Sequence, residues 1–190
     1  MEADLTFQEL VERHFDALYN YARMLTRSLA EAEDLFQETL VRALRGVKTF
    51  DRSRNIKVWL LKVMKNVYVD ECRRLKRMPM IEPLDREPKV AQHDAGDSWL
   101  SNTPLNPEEI LLRRLAIEQV RNAIRHLPPF LREVVELRDI EGLSYQEIAD
   151  IIETPVGTVM SRLFRGRNLV RAFLLDDKGC KAEPRTSRDV

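Results

Sequence analysis

The chain has 190 residues, room for one large domain or two small ones but not for a barrel enzyme with an accessory domain. It is 44% hydrophobic and 33% charged, as in soluble globular proteins, and its six glycines are too few for a fold built on Gly-rich phosphate loops and tight hairpins, so an all-α protein is expected. The 31 basic and 31 acidic residues cancel overall but not locally: Lys48 to Arg77 holds ten basic against three acidic residues, Met78 to Leu112 two against seven, and Pro155 to Leu175 four against none.

Taken in chain order, Thr6-x-x-Glu9 has the form of a capping box ahead of Phe7, Leu10, Val11, Leu18, Ala22 and Leu25, which recur at helical spacing. Ser28-x-x-Glu31 repeats the signal ahead of Leu35, Phe36, Leu40, Ala43 and Leu44, with Gly46 as the stop. The two helices are expected to pack together. From Ile56 to about Arg77 a single helix would gather Ile56, Leu60, Val63, Met64 and Val67 on one side. Lys62, Lys65, Asn66, Val69, Arg73 and Lys76 gather on the other, a side that needs water or phosphate.

Met78 to Thr103 carries Pro79, Pro83 and Pro88 among scattered acids without periodicity and reads as a flexible linker. Helix signals resume at Asn106-Pro107-Glu108-Glu109, with Leu111, Leu112, Leu115, Val120 and Ile124 as the expected buried stripe. Leu127-Pro128-Pro129 breaks that helix, and the next turns Leu131, Val134 and Val135 inward before Gly142. Ser144-x-x-Glu147 caps a short helix with Ile148, Ala149 and Ile151, and Thr154-Pro155 starts another with Val159, Leu163, Gly166 and Val170 on one side. Two helices joined so tightly, the second basic, form a helix-turn-helix. The expected organisation is two helical domains, 1–78 and 106–175, with a linker at 79–105 and a tail at 176–190.

In a helix-turn-helix the second helix enters the major groove, where arginines reach guanine edges or phosphates. Thr158, Ser161, Arg162 and Arg165 point away from its buried stripe, although such a helix face is also compatible with plain solvation. The basic face of 56–77 adds amide and aromatic neighbours, Asn66, Trp59 and Tyr68, a combination that suits unstacked single-stranded bases. Trp59 taken alone reads as a core residue.

The segment Asp34-Leu35-Phe36-Gln37-Glu38-Thr39-Leu40-Val41-Arg42-Ala43 resembles the D-L-x-Q-E segment of sigma-70-type factors. Trp59-Leu60 followed by Asn66, Asp70, Arg73 and Arg74 looks like the next segment of their extracytoplasmic-function group. The run from Leu127-Pro128 through Glu141-Gly142-Leu143-Ser144-Tyr145-Gln146-Glu147-Ile148-Ala149 to Pro155-Val156-Gly157-Thr158-Val159-Met160-Ser161-Arg162-Leu163 is similar to their second DNA-binding domain.

The resemblance implies an alternative sigma factor that docks on core RNA polymerase and directs initiation at promoter DNA, stress-responsive and restrained by an anti-sigma factor. It implies polymerase docking by Asp34, Leu35, Gln37, Glu38 and Val41, and minus-10 recognition by Lys62, Lys65, Asn66, Asp70, Arg73 and Arg74. Minus-35 recognition would fall to Thr158, Met160, Ser161, Arg162, Phe164, Arg165 and Arg167. Many relatives carry lysine or arginine where Met160 stands, so the substitution removes one polar contact to DNA.

Other classes fit less well. A free-standing helix-turn-helix repressor would leave the Asp34 to Glu38 face and the long basic helix without a role. For an enzyme, His14, His93 and His126 are the available pH-7 bases, and no Gly-x-Ser-x-Gly, Walker or paired-His metal spacing accompanies them. No cofactor or metal is expected, and Cys72 and Cys180 stand outside any CxxC spacing. Reduced cysteines, no signal peptide and no membrane span point to a cytoplasmic protein.

Overall fold

A computed structural model describes residues 7–51, 54–77 and 106–176, and among these every regular element is helical. The expected linker at 79–105, the Thr6 cap and the tail from 177 to 190 lie outside the described residues. In the first half, α1 (Phe7–Glu12), α2 (Phe15–Leu25) and α3 (Leu29–Gly46) lead through a 3-10 turn at Val47–Thr49 to α4 (Ile56–Arg77). In the second, α5 (Pro107–Arg125) and α6 (Pro129–Val135) precede a π-helical turn at Glu136–Ile140, and α7 (Tyr145–Ile152) and α8 (Val156–Asp176) complete the chain.

Caps explain most boundaries. Ser28 accepts the Glu31 N–H at 3.2 Å, while the Glu31 carboxylate reaches past the cap residue to the Arg27 N–H at 3.0 Å. At α7 the box is complete: Ser144 accepts from the Glu147 N–H at 3.2 Å and the Glu147 carboxylate accepts from the Ser144 N–H at 2.8 Å. Pro107 opens α5 at its first position, although the Asn106 side chain makes no capping bond. Gly142 closes the π-helical turn at φ 73°, a left-handed conformation that glycine adopts without steric cost. The α7–α8 turn runs through Glu153, also left-handed at φ 52°.

Two expectations need correction. The first helix is broken: the chain kinks at Arg13–His14, where the His14 N–H bonds back to the Val11 carbonyl at 2.9 Å and His14 sits at φ −113°, ψ 9°. The break re-aims the chain so that Val11 and the Leu18, Tyr21, Ala22 set are all buried. Neither Pro nor Gly marks it. On α5, Leu111, Leu112, Leu115 and Val120 are exposed rather than buried. The helix meets α8 and α6 and seats Ala123 and Ile124, together with Leu127 just beyond it, in the core, which leaves its N-terminal leucines uncovered by described residues.

Elsewhere the apolar pattern holds except at Leu44, near the C-terminal end of α3, which is exposed. Leu35, Leu60, Met64 and Val67 in the first half, and Leu131, Val134, Val135, Ile148, Ala149, Ile151, Val159 and Leu163 in the second, are buried. Trp59 packs edge-on to Phe7 with centroids 6.1 Å apart and against Phe50 at 4.9 Å, a core role. The two halves are also packed on each other, α4 against α7 and α2 against α6, and the buried residues of both form one continuous cluster.

Leu61 shows why. On a helical wheel it lies between Lys57 and Lys65, at i+4 from one and i−4 from the other, off the stripe of Leu60 and Met64. It is nonetheless fully buried, as α4 is covered by the second half as well as by α2 and α3.

Gly166 lies on the buried side of α8, where α8 crosses α6. A Cβ built there would sit 2.7 Å from Val135 Cγ2, and Val135 is itself buried with a β-branched side chain that cannot swing clear. Gly166→Ala is therefore expected to destabilise the fold by about 1–3 kcal/mol despite the better helix propensity of alanine. Urea unfolding checks this, and a midpoint equal to or above wild type would contradict the close crossing.

Candidate nucleic-acid interface

Of the helix-turn-helix, α8 carries the outward face. Met160 and Phe164 are exposed, Phe164 at 70% of its area, with Ser161 and Arg165 beside them. Exposing a phenylalanine to this degree costs solvation unless a partner covers it. The Ser161 hydroxyl donates to the Thr158 carbonyl at 3.0 Å within its own helix, and Thr158 is half-buried. Arg162 is half-buried, its guanidinium 5.9 Å from the Phe130 ring centroid. Arg167 is held by both oxygens of Asp139, at 3.0 and 2.5 Å, and the pairing raises its pKa. That clamp ties α8 to the π-helical turn, so Arg167 anchors α8 more than it presents a free cation.

The basic face of α4 divides in two. Asn66, Arg73 and Arg74 are exposed, and Asp70, Arg73, Arg74 and Arg77 line a shallow cleft at its C-terminal end. Asp70, an anion among these cations, accepts from Arg42 at 3.0 Å and lies 3.9 Å from Arg73, so it orients guanidinium groups. The N-terminal part differs from expectation. Lys65 faces neither water nor phosphate: it pairs with Glu133 at 2.5 Å and only 18% of its side chain is exposed. Lys62 stays more open, 3.9 Å from Glu153.

The docking residues expected on α3 are likewise sorted by burial. Asp34, Gln37, Glu38 and Val41 are exposed on one face. Leu35 is buried at 2% exposure, so its side chain belongs to the core and not to the docking face. Glu38 accepts from Arg42 at 2.9 Å, and Arg42 in turn reaches Asp70, linking this face to α4 through exposed ion pairs that also raise the Arg42 pKa.

Residues that sequence reasoning did not single out join the two halves. Tyr21, buried on α2, donates to Glu133 at 2.7 Å, and Lys57 pairs with Glu141 at 2.6 Å while donating to its backbone carbonyl at 3.0 Å. The Asn55 amide donates to Glu147 at 3.2 Å. Burial, followed by the charge of Glu133 and the hydrogen bond to it, pushes the Tyr21 pKa well up, so its hydroxyl remains a donor. Burial and the neighbouring Lys57 and Arg13 lower that of His14, which is neutral at pH 7. The backbone bond from Ser144 leads the effects that hold Glu147 below the usual carboxylate range. On α4, burial and a hydrogen bond with Cys72 push Tyr68 up to about 12.

Among the described residues there is no cluster of three His, Cys, Asp or Glu able to hold a metal, and no helix long and apolar enough to cross a membrane.

The described residues thus form a helical chain with a capped helix-turn-helix, an exposed apolar and basic face on its second helix and a separate basic face on a long helix. Residues 10–78 match sigma-70 region 2 and residues 117–170 match sigma-70 region 4. The extracytoplasmic-function sigma factor SigE of Mycolicibacterium smegmatis is 34% identical over 89% of this chain, which spans 62% of that relative's length. SigW of Bacillus subtilis is 31% identical over 90% of this chain and 89% of its own. Among solved structures, the sigma factor RpoE in complex with the anti-sigma factor NepR, from Bartonella quintana, superposes with a TM-score of 0.70 at 27% identity, covering 90% of this chain and 98% of that one. The chain belongs to the sigma-70 family, within its extracytoplasmic-function group of RNA polymerase sigma factors.

One group near the interface titrates close to neutrality. Burial, and then the nearby Glu141 charge, raise the Glu136 pKa to about 7 against the opposing pull of Arg132, Arg121 and Arg125. The folded protein thus holds this proton more tightly than the unfolded chain does. Its contribution to stability is complete below the unfolded value of 4.5 and is lost as pH rises through about 7. Glu136→Gln, neutral at every pH, is expected to gain on wild type between pH 5 and pH 8.5 by on the order of 3 kcal/mol. Denaturant unfolding at the two pH values checks it, and a constant difference between the proteins would contradict the buried proton.

Proposed function

We propose that this chain is a promoter-specificity subunit, a transcription initiation factor and not a catalyst, that places core RNA polymerase on DNA by two readings. The observation that carries this is the division of chemistry between two helices. The outward face of α8 offers Met160, Ser161, Phe164 and Arg165 to a duplex groove, with Thr158 and Arg162 at its margin and Arg167 anchoring it. The face of α4 offers Asn66, Arg73 and Arg74, with Lys62 and, once released from Glu133, Lys65, to a strand whose bases have left the stack, with Asp70 orienting the arginines. The reading assigns the minus-35 element to α8 and the minus-10 element to α4.

Asp34, Gln37, Glu38 and Val41 on α3 supply an acidic, partly apolar surface suited to a basic polymerase element. Residues 1–78 and 106–175 then act as separate functional domains. The Bartonella relative is described in complex with an anti-sigma factor. We infer a comparable restraint here, released under stress, and the exposed Leu111, Leu112 and Leu115 of α5 are chemically suited to such a protein partner. A factor of this kind works in the cytoplasm, beside the polymerase.

The docking face is tested by Glu38→Lys, which reverses charge on an exposed residue whose ion pair with Arg42 is open to solvent and contributes little to the fold. Affinity for core polymerase should fall at least tenfold, or about 1.4 kcal/mol, with helical circular dichroism unchanged. Wild-type affinity would remove α3 from the docking surface.

For α8, Arg165→Ala distinguishes two roles. As a base contact Arg165 is worth about 1–3 kcal/mol on the cognate minus-35 element, and its loss relaxes preference at one position. As a phosphate contact its loss weakens all sequences alike and lowers the salt slope by about one. The expected outcome is the first, measured on a library of minus-35 variants, and a uniform loss would overturn the base-reading assignment.

A further inference from the structure

The contact between the two halves is polar in a specific way. Three lysines of α4, Lys57, Lys62 and Lys65, each face a glutamate from the second half: Glu141 at 2.6 Å, Glu153 at 3.9 Å and Glu133 at 2.5 Å. Glu133 is 8% exposed and shared with the buried Tyr21 hydroxyl. Two of the three lysines belong to the face assigned above to single-stranded DNA. Meanwhile Met160, Ser161, Phe164 and Arg165 of α8 remain exposed. The arrangement therefore treats the two readers unequally.

We propose that the glutamates of the second half act as an internal stand-in for DNA phosphate, holding the free protein closed with its α4 reader partly neutralised and its α8 reader open. A carboxylate and a phosphate oxygen make the same charge-assisted bonds to an ammonium group, so strand and second half compete for Lys65 and Lys62. The competition is two-state: the lysines are paired either across the contact or with the strand. A reader competent in only a fraction of molecules binds with its affinity reduced by that fraction. Separating the halves lets Glu133 and Tyr21 regain water, which avoids a buried unpaired charge, so the cost of opening lies chiefly in exposing the apolar contact around Leu61.

The inference rests on the assignment of α4 to single-stranded DNA, and the test reads closure independently of it. Glu133→Gln with Glu141→Gln removes both strong charges and keeps side-chain shape. Small-angle scattering of the full chain should show a larger radius of gyration than wild type, and affinity for a short mixed-sequence single-stranded oligonucleotide should rise about tenfold. Affinity for a minus-35 duplex should change much less.

Glu109→Gln with Glu118→Gln, on exposed positions of α5, makes the same change in net charge away from the contact and should reproduce neither effect. Lys57→Glu alone should expand the particle, and adding Glu141→Lys should compact it again. This rescue separates a lost latch from a damaged fold. An unchanged radius in the Gln pair overturns the latch. Expansion with the wild-type single-strand affinity retained overturns the masking, and no measurable single-strand binding by either protein overturns it through the assignment of α4 itself.

Discussion

The carboxylate of Glu133 is the point on which the arrangement turns. It comes from α6, accepts from Tyr21 of α2 and pairs with Lys65 of α4, so one nearly buried side chain engages both halves of the molecule. A charge taken from water at such a site is tolerated because two donors replace the lost hydration, and the same logic makes removing either donor costly. Around it, Leu61 and the pair Lys57–Glu141 extend the contact along one stripe of α4. The position of the second half, and hence what each reading helix can reach, follows from this stripe.

The two helices proposed as readers, α8 and α4, are supported differently. α8 is fixed by packing: Val159 and Leu163 are buried, Gly166 allows close approach to α6, and Asp139 clamps Arg167. Its outward residues thus project from a rigid base, which favours readout of a preformed groove. The exposed end of α4 is held by exposed ion pairs among Glu38, Arg42 and Asp70, each worth little alone in water. A soft support suits a partner that changes shape, as a melting strand does.

Much of this was legible in the sequence. The caps Ser28 and Ser144, the prolines at 107 and 129 and the glycine at 142 carry local signals, and local physics governs those boundaries. The apolar stripe of α4 is legible in the same way, although Leu61, off that stripe, is fully buried where the second half adds its cover. The kink at His14 carries no local signal, because it serves the packing of two faces onto one core. The α5 leucines depart from the expected stripe for the converse reason: periodicity shows that a face is apolar but not whether the chain itself provides its cover.

In the site, Met160, Ser161, Phe164 and Arg165 are exposed on α8, whereas Thr158 and Arg162 are half-buried and Leu35 lies in the core. Lys65 reads as a solvated or phosphate-seeking lysine because its partner lies 68 residues downstream. Long-range pairing of that kind leaves no trace in spacing, whereas the motif blocks that mark the family do.

The two exposed helix faces support one chain reading two DNA elements on behalf of a polymerase. Mapping the 5′ ends of transcripts made on genomic fragments by core RNA polymerase, with and without this protein, tests it most directly. The expected result is new start sites sharing paired upstream elements, near minus-10 and minus-35. Transcription from unrelated positions, or none beyond that of core alone, would contradict it.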